Sequence, residues 1–195
     1  MKELVIISGK GGTGKTCLTA SFGYLARDKV MADCDVDAAD LHIILQPEII
    51  EKEEFWGGVK AGIDLYKCVK CGICVDSCRF EAIPDSMIVD SYSCEGCSVC
   101  YYVCPEGAIT MKDSLNGHWF KSESRFGPMV HAALLPGEEN SGKLVALVRN
   151  QAKAVANGLG KSLVLVDGAP GVGCPVISSV TGATNVLVVT EPSMS

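Results

Sequence analysis

Apolar residues recur with two periods in the first third of the chain. Continuous apolar runs at residues 4–8 and 29–33 predict buried strands, and residues 15–27 between them have helical spacing. A shorter helix is predicted over residues 38–45, ended by Pro47. Strands that alternate with helices indicate a parallel sheet. Residues 1–57 therefore predict the first part of an α/β domain.

The same alternation resumes near residue 113. Asn116-Gly117 lies between apolar stretches and predicts a hairpin turn. Residues 141–157 have helical spacing, and residues 163–166 and 186–189 are apolar runs typical of buried parallel strands. Residues 113–195 thus predict the second part of the same α/β domain.

The middle of the chain, residues 58–112, has a different composition, rich in cysteine, glycine and aspartate. It also contains an internal repeat of 26 residues. Two copies of one small unit are the natural interpretation, and they predict a separate domain inserted between the two α/β parts. The repeat is defined by Cys68, Cys71, Cys74 and Cys78, which recur as Cys94, Cys97, Cys100 and Cys104.

Charge and hydropathy exclude several classes of protein. The 195 residues carry a net charge of −6, which argues against non-specific nucleic-acid binding. No apolar run approaches the 18 residues of a transmembrane helix, and the acidic start does not resemble a signal peptide. These features predict a cytoplasmic protein without nucleic-acid or membrane partners. Clustered cysteines in that setting favour metal ligation, with zinc or disulfides as the alternatives.

A glycine-rich segment between the first strand and the first helix matches the pattern G-x-x-x-x-G-K-[ST]. Glycines let backbone N–H groups turn toward phosphate oxygens, and the following helix N-terminus adds positive charge. Lys15 is expected to reach the β- and γ-phosphates of a nucleotide, and the Thr16 hydroxyl to bind Mg²⁺. The alternative is a glycine-rich turn without a ligand. The predicted nucleotide-binding residues are Gly9, Lys10, Gly11, Gly12, Thr13, Gly14, Lys15 and Thr16.

Lys10 adds information, because an ordinary P-loop does not need lysine there. The form Lys-Gly-Gly-x-Gly-Lys-Thr resembles the deviant P-loop of the MinD/ParA/nitrogenase iron protein superfamily. The resemblance implies that Lys10 crosses to a partner's nucleotide, in a nucleotide-dependent homodimer or a heterodimer with a related chain. A solvated loop lysine is the alternative.

Two aspartate motifs fit the same superfamily. Within Asp33-Cys34-Asp35, at the end of the second strand, the resemblance implies that Asp35 orients the attacking water and Asp33 assists near Mg²⁺. Within Asp167-Gly168-Ala169-Pro170-Gly171 it implies that Asp167 holds Mg²⁺ through water in a flexible switch loop. Helix capping is the alternative for the first motif. The family's later elements, with its adenine-binding residues, are expected to be missing here.

The cysteine repeat, ending in Cys104-Pro105, resembles a bacterial ferredoxin with two [4Fe–4S] clusters, which implies that the inserted domain is α+β. The resemblance implies that the fourth cysteine of each run reaches the other cluster. Arg79, in place of proline after Cys78, departs from that pattern. Outside the repeat, Cys17 and Cys174 are predicted to be buried structural thiols. The alternative for Cys174 is a ligand role, because its position seven residues after Asp167 resembles that of the cysteine that holds the dimer-bridging cluster in nitrogenase iron protein. The implied ligands are Cys68, Cys71, Cys74 and Cys104 for one cluster, and Cys94, Cys97, Cys100 and Cys78 for the other.

Taken together, the chain resembles the MinD-superfamily P-loop ATPases that contain an inserted ferredoxin domain. That resemblance implies an ATPase that uses MgATP and couples hydrolysis to electron transfer through two [4Fe–4S] clusters, with a redox partner protein. An alternative is an ATPase for iron–sulfur or metallocluster assembly that passes clusters to an acceptor or senses redox state. A positioning ATPase would need a membrane-targeting helix or a basic DNA face, and the sequence shows neither.

Overall fold

The computed structural model describes residues 1–138 and 142–192, and its contacts divide the chain into two units. The first unit comprises Met1–Phe55 and Gly117–Ser195, and the second comprises Trp56–Asn116. The helices and strands are β1 Lys2–Ser8, α1 Lys15–Leu25, β2 Lys29–Asp33, α2 Leu41–Leu45, β3 Glu48–Ile63, α3 Ile73–Ser77, α4 Val99–Val103, β4 Ile109–Ser124, β5 Gly127–Leu134, α5 Lys143–Gly158, β6 Leu163–Pro170, α6 Cys174–Val180 and β7 Asn185–Val189.

A mostly parallel sheet organises these elements, in the order β3-β4-β5-β2-β6-β1-β7. Strand β1 pairs in parallel with β6 and β7, and β2 pairs in parallel with β5 and β6. Strands β4 and β5 pair in the antiparallel direction. This architecture is consistent with a P-loop nucleotide-binding domain.

Side chains of the central strands pack alternately on the two faces of the sheet. Val30 and Ala32 of β2 join one cluster, which also contains Val148 of α5. Met31 of the same strand joins the opposite cluster, together with Leu41 of α2. This period-two division is what a strand buried on both faces requires. It fixes the register that sets the carboxyl ends of β1, β2 and β6 side by side.

The predicted hairpin at Asn116-Gly117 is wrong. Strand β4 continues through both residues to Ser124, and the reversal into β5 falls at Arg125-Phe126. The Asn116 side chain instead accepts backbone N–H bonds from Gly57 and Gly58, at 2.9 and 2.7 Å. Gly117 lies where a Cβ would stand 2.6 Å from the Ala133 carbonyl oxygen, so close strand contact requires glycine there.

Other boundaries differ by a few residues. Helix α1 ends at Leu25 because Ala26 is extended and Asp28 has a φ of 58°. Helix α2 begins at Leu41, later than predicted. Helix α5 begins at Lys143, and the predicted start at Ser141 lies outside the described residues. Strands β3 and β5 and helix α6 were not predicted. Within the described ranges, none of the helices has the length and apolar character needed to cross a membrane.

Candidate functional site

The glycine-rich loop joins the end of β1 to the start of α1, as a phosphate loop should. Gly12 and Gly14 have φ angles of 80° and 86°, a left-handed conformation that other residues adopt only with strain. A Cβ built at Gly9 or Gly11 would meet no atom within 4 Å. The backbone of the loop is therefore open to a ligand, and its conformation needs the glycines that the motif supplies.

Two aspartates hold the lysine of the loop in the ligand-free structure. The Lys15 ammonium lies 3.0 Å from Asp167 Oδ1 and 3.3 Å from Asp35 Oδ2, and all three residues are buried. Burial by itself lowers the pKa of Lys15, but the carboxylates of Asp167 and Asp35 outweigh it, so the pKa is raised. Lys15 therefore stays charged in the buried site.

Three aspartates converge because the last residue of β2 lies beside Asp167 of β6. Asp33 and Asp167 are register partners across these strands. Both oxygens of Asp33 accept backbone N–H bonds, Oδ1 from Asp35 at 3.1 Å and Oδ2 from Leu41 at 3.2 Å. Burial raises the pKa of Asp33 well above its ordinary value, and the charge of Asp167 raises it further. Asp33 thus shapes the loop between β2 and α2, and its role near Mg²⁺ stays a prediction.

Burial also raises the pKa of Asp35, although the charge of Lys15 opposes that effect. A backbone hydrogen bond fixes the main chain at Asp167, because its carbonyl oxygen accepts the Cys34 N–H at 2.8 Å. Asp167 and the three residues after it belong to the end of β6, which continues to Pro170, and their role as a switch stays a prediction. Gly168 serves close packing there, because a Cβ would stand 2.9 Å from the Ile6 carbonyl oxygen.

One residue of this site was missed at the level of sequence. Thr19 of α1 is fully buried, and its hydroxyl lies 2.9 Å from Asp167 Oδ1 and 3.0 Å from the Lys15 carbonyl oxygen. A polar residue four positions after the phosphate-loop lysine, on the buried face of the helix, was the available signal. Among the described residues, Asp167 Oδ2 and Thr13 Oγ1 are buried side-chain atoms without a hydrogen-bond partner. Such atoms are costly and mark where a ligand would bind.

The remaining predicted residues lie in the loop but not around Lys15. Thr16 is half-buried in the first turn of α1. The Lys10 ammonium forms a partly exposed ion pair with Glu191, at 3.1 Å, and the Lys10 carbonyl accepts a hydrogen bond from the Ser8 hydroxyl. The ammonium of Lys10 thus has an ion-pair partner within its own chain. Its contact with the nucleotide of a partner chain stays a prediction.

The cysteines outside the repeat correct two expectations. Cys34 is fully buried, and burial raises the pKa of its thiol well above the ordinary value. Cys17 and Cys174, which were expected to be buried, are both exposed. Cys17 lies on the outer side of α1, and Cys174 begins α6 after Gly173. Helical spacing alone did not place either residue relative to the sheet.

In the second unit the 26-residue repeat is visible in the backbone. The Asp64 N–H donates to the Ala108 carbonyl and the Asp90 N–H donates to the Ala82 carbonyl, both at 2.8 Å, so each repeat is tied to the other. The carboxylate of each aspartate also accepts the N–H two residues later, at 3.0 Å. Left-handed positions recur at the same interval, in the pairs Lys70 and Gly96, Gly72 and Ser98, and Glu81 and Gly107.

Two cavities lie within this unit. Apolar residues complete both walls, such as Ile63 and Ile109 in one and Ile83 and Val99 in the other. The lining thus groups each run's first three cysteines with the fourth cysteine of the other run. The first cavity is lined by Cys68, Cys71, Cys74 and Cys104, and the second by Cys94, Cys97, Cys100 and Cys78.

The innermost thiol of each cavity is affected by its neighbours. Burial raises the pKa of Cys74, and the proximity of Cys68 and Cys104 raises it further. Burial also raises the pKa of Cys100, and the proximity of Cys94, Cys97 and Cys78 raises it further. No group of three or more His, Cys, Asp or Glu side chains within residues 1–138 and 142–192 is arranged to hold a metal ion.

A parallel sheet, a phosphate loop after its β1 strand and aspartates at its strand ends define a nucleotide-binding domain. The chain belongs to the CobQ/CobB/MinD/ParA nucleotide binding domain family, whose sequence model matches residues 4–178. It is also similar to an uncharacterized protein, MJ0578, of Methanocaldococcus jannaschii. The two are 35% identical, and the match covers 99% of this chain and 68% of the other protein.

Proposed function

We propose that this protein binds and hydrolyses MgATP and couples its nucleotide state to electron transfer through two [4Fe–4S] clusters. The observation that carries the proposal is that one chain contains both a phosphate loop with its aspartates and two cavities lined by four cysteines each. Membership of the nucleotide-binding family supports the first half. The cavity linings support the second half.

For the nucleotide, each residue has a distinct role. The loop N–H groups and Lys15 bind the phosphates, and the Thr16 hydroxyl binds Mg²⁺. The unpartnered Oδ2 of Asp167 is available to accept a hydrogen bond from water on Mg²⁺. Asp35 orients the water that attacks the γ-phosphorus. Both aspartates form ion pairs with the Lys15 ammonium, so phosphates that bind Lys15 compete with these two carboxylates.

The cysteines fit cubane clusters better than single metal ions. One zinc ion draws four sulfurs to about 2.3 Å from a single point. A cubane offers four separate iron corners, so thiols spread around a cavity suit it. The first cavity would use the lining cysteines Cys68, Cys71, Cys74 and Cys104, and the second would use Cys94, Cys97, Cys100 and Cys78. When bound, the clusters supply one-electron redox chemistry.

Nucleotide binding could be coupled to the cysteine-containing unit because the phosphates would displace an aspartate from Lys15. When phosphates bind the Lys15 ammonium, they replace its ion pair with Asp35. Asp35 lies at the start of the segment that leads through α2 into β3. Strand β3 continues the chain into the second unit, so a change at Asp35 has a covalent route to the cysteines. Nucleotide can affect the second unit only if the nucleotide-bound and nucleotide-free forms differ in the energy of their contacts. The change of ion-pair partner at Lys15, from aspartate to phosphate, supplies such a difference.

The test is redox titration of anaerobically purified protein with ADP and with a non-hydrolysable ATP analogue. A coupling of about 1–3 kcal/mol corresponds to a shift of roughly 40–130 mV for a one-electron couple. Lys10→Ala should reduce the shift if a second chain takes part, whereas Lys52→Ala, at another exposed lysine, should not. Equal potentials and equal partner affinities in both nucleotide states would contradict the coupling.

A second candidate is an ATPase that delivers its clusters to an acceptor. The exposure of Cys71 and Cys97, one in each cavity lining, favours this alternative, because an acceptor thiol could reach them. Incubation of the iron-loaded protein with an apo-ferredoxin separates the two functions. Retention of iron after ATP hydrolysis supports electron transfer, and nucleotide-dependent loss of iron supports delivery.

A further inference from the structure

We infer that Thr19 is a positioning residue for Asp167, which it holds so that one carboxylate oxygen stays available for the hydration shell of Mg²⁺. This inference rests on the proposed function, because it assigns Thr19 a part in the use of MgATP. The sequence motifs do not include Thr19, which lies one helical turn beyond the phosphate loop. Its side chain is fully buried at the site.

The hydroxyl of Thr19 has a single proton and two acceptors in reach. In a helix, threonine commonly donates to the carbonyl four residues earlier, here that of Lys15 at 3.0 Å. Asp167 Oδ1 is equally close, at 2.9 Å. A charged carboxylate is the stronger acceptor in a buried site, so the proton goes to Asp167.

The two oxygens of the Asp167 carboxylate are therefore unequal. Oδ1 accepts a hydrogen bond from the Thr19 hydroxyl and forms an ion pair with the Lys15 ammonium. Oδ2 is buried and has no partner among the described residues. When phosphates draw Lys15 away, Thr19 remains as the donor to Oδ1. The carboxylate then keeps its rotation, so Oδ2 stays available to a water of the Mg²⁺ hydration shell. Thr19 thus acts on Mg²⁺ through Asp167 and makes no contact with the nucleotide.

The experiment uses the full protein and a fluorescent N-methylanthraniloyl ATP, titrated with Mg²⁺ and, separately, in EDTA. Thr19→Val keeps the shape of the side chain and removes the donor. The Mg²⁺ concentration for half-maximal binding should rise about tenfold or more, the effect typical of lost outer-shell partners. Affinity in EDTA should stay unchanged, and Thr19→Ser should restore the wild-type Mg²⁺ response.

Ser21→Ala is the matched control, because Ser21 lies on the same helix and donates to its own i−4 carbonyl at 2.8 Å, on the exposed side. Should Thr19→Val not fold, Thr19→Cys replaces it, since a thiol is a weak donor of similar size. An unchanged Mg²⁺ response, or an equal loss of affinity with and without Mg²⁺, would overturn the inference. A wild-type protein without Mg²⁺-dependent nucleotide binding would instead overturn the proposed function.

Discussion

The nucleotide site and the cysteine cavities differ in what holds their functional side chains in place. Around Lys15 the chain supplies its own counter-charges, Asp35 and Asp167, and a large apolar core lies beneath them. In the second unit, Cys74 and Cys100 have other thiols as neighbours. The core cluster there is small, and both cysteines belong to it together with Ile83, Met87 and Ile109.

This difference separates two kinds of site. A site with internal charge partners can be complete before its ligand arrives, and the ligand then competes with those partners. A small unit whose core consists partly of cysteines lacks enough apolar burial for independent stability, and such units commonly depend on metal. We therefore expect the first unit to fold without nucleotide and the second to need its clusters.

The largest expected effect concerns the grouping of the cysteines. Wild-type protein should bind about eight irons, if each cavity holds one four-iron cubane. Substituting Cys74 and Cys104 together by serine should remove about four irons, because both line one cavity. Substituting Cys74 and Cys78 should remove nearly all, because each lines a different cavity. Iron and sulfide analysis of anaerobically purified protein measures this.

Limited proteolysis of the same variants tests the dependence of folding on metal. The segment Trp56–Asn116 should become sensitive when iron is lost, while the rest of the chain stays resistant. Cys17→Ser is the control, since Cys17 is exposed on α1 and lies in the other unit. Equal iron loss in both double variants would contradict the crossed grouping, and protection of the iron-free segment would contradict the comparison.

A second effect belongs to Lys15. Lys15→Ala should weaken nucleotide binding about 10- to 100-fold, the worth of a hydrogen bond to a charged phosphate. It should also destabilise the ligand-free protein by about 3–5 kcal/mol, because two buried carboxylates lose their cation. Lys121→Ala is the control, since its ion pair with Glu51 is partly exposed and should contribute under about 1 kcal/mol. Unchanged stability of Lys15→Ala by urea unfolding would show that the aspartates do not need the lysine.

The smallest effect is a pH dependence confined to the first unit. His131 is buried against Ser122, and burial, aided by the charge of His42, lowers its pKa to about 4. Because the unfolded chain binds this proton near pH 6.5, stability is lost as pH falls from 6.5 toward 4. The loss should approach about 3 kcal/mol at the acid end of that window.

His131→Gln should flatten this slope, while His118→Gln, on the half-buried His118 of β4, should keep it. Urea unfolding followed by the emission of buried Trp119, in a Trp56→Phe background, reports on the first unit. A wild-type slope in His131→Gln between pH 6.5 and 4 would assign the acid sensitivity to other groups.

The sequence by itself determined the features that depend on short stretches of chain. The order of strand, phosphate loop and helix follows from adjacent residues, because glycines and helical periodicity act locally. The 26-residue repeat was likewise visible, and the backbone reproduces it at Asp64 and Asp90. The parallel sheet followed from alternating elements, although the edge strand β3 escaped prediction because its first half is mostly exposed and charged.

Only the tertiary structure decided which distant residues meet. Thr19 reaches Asp167 across 148 positions of sequence, and the pairing of β6 with β1 is what brings Asp167 near Lys15. The same long-range contacts carried β4 straight through Asn116-Gly117, against a local turn preference. Local propensities are worth about 1 kcal/mol, whereas strand pairing and burial act along a whole element. Contacts between helices and strands therefore decided which distant residues meet, which local sequence could not specify.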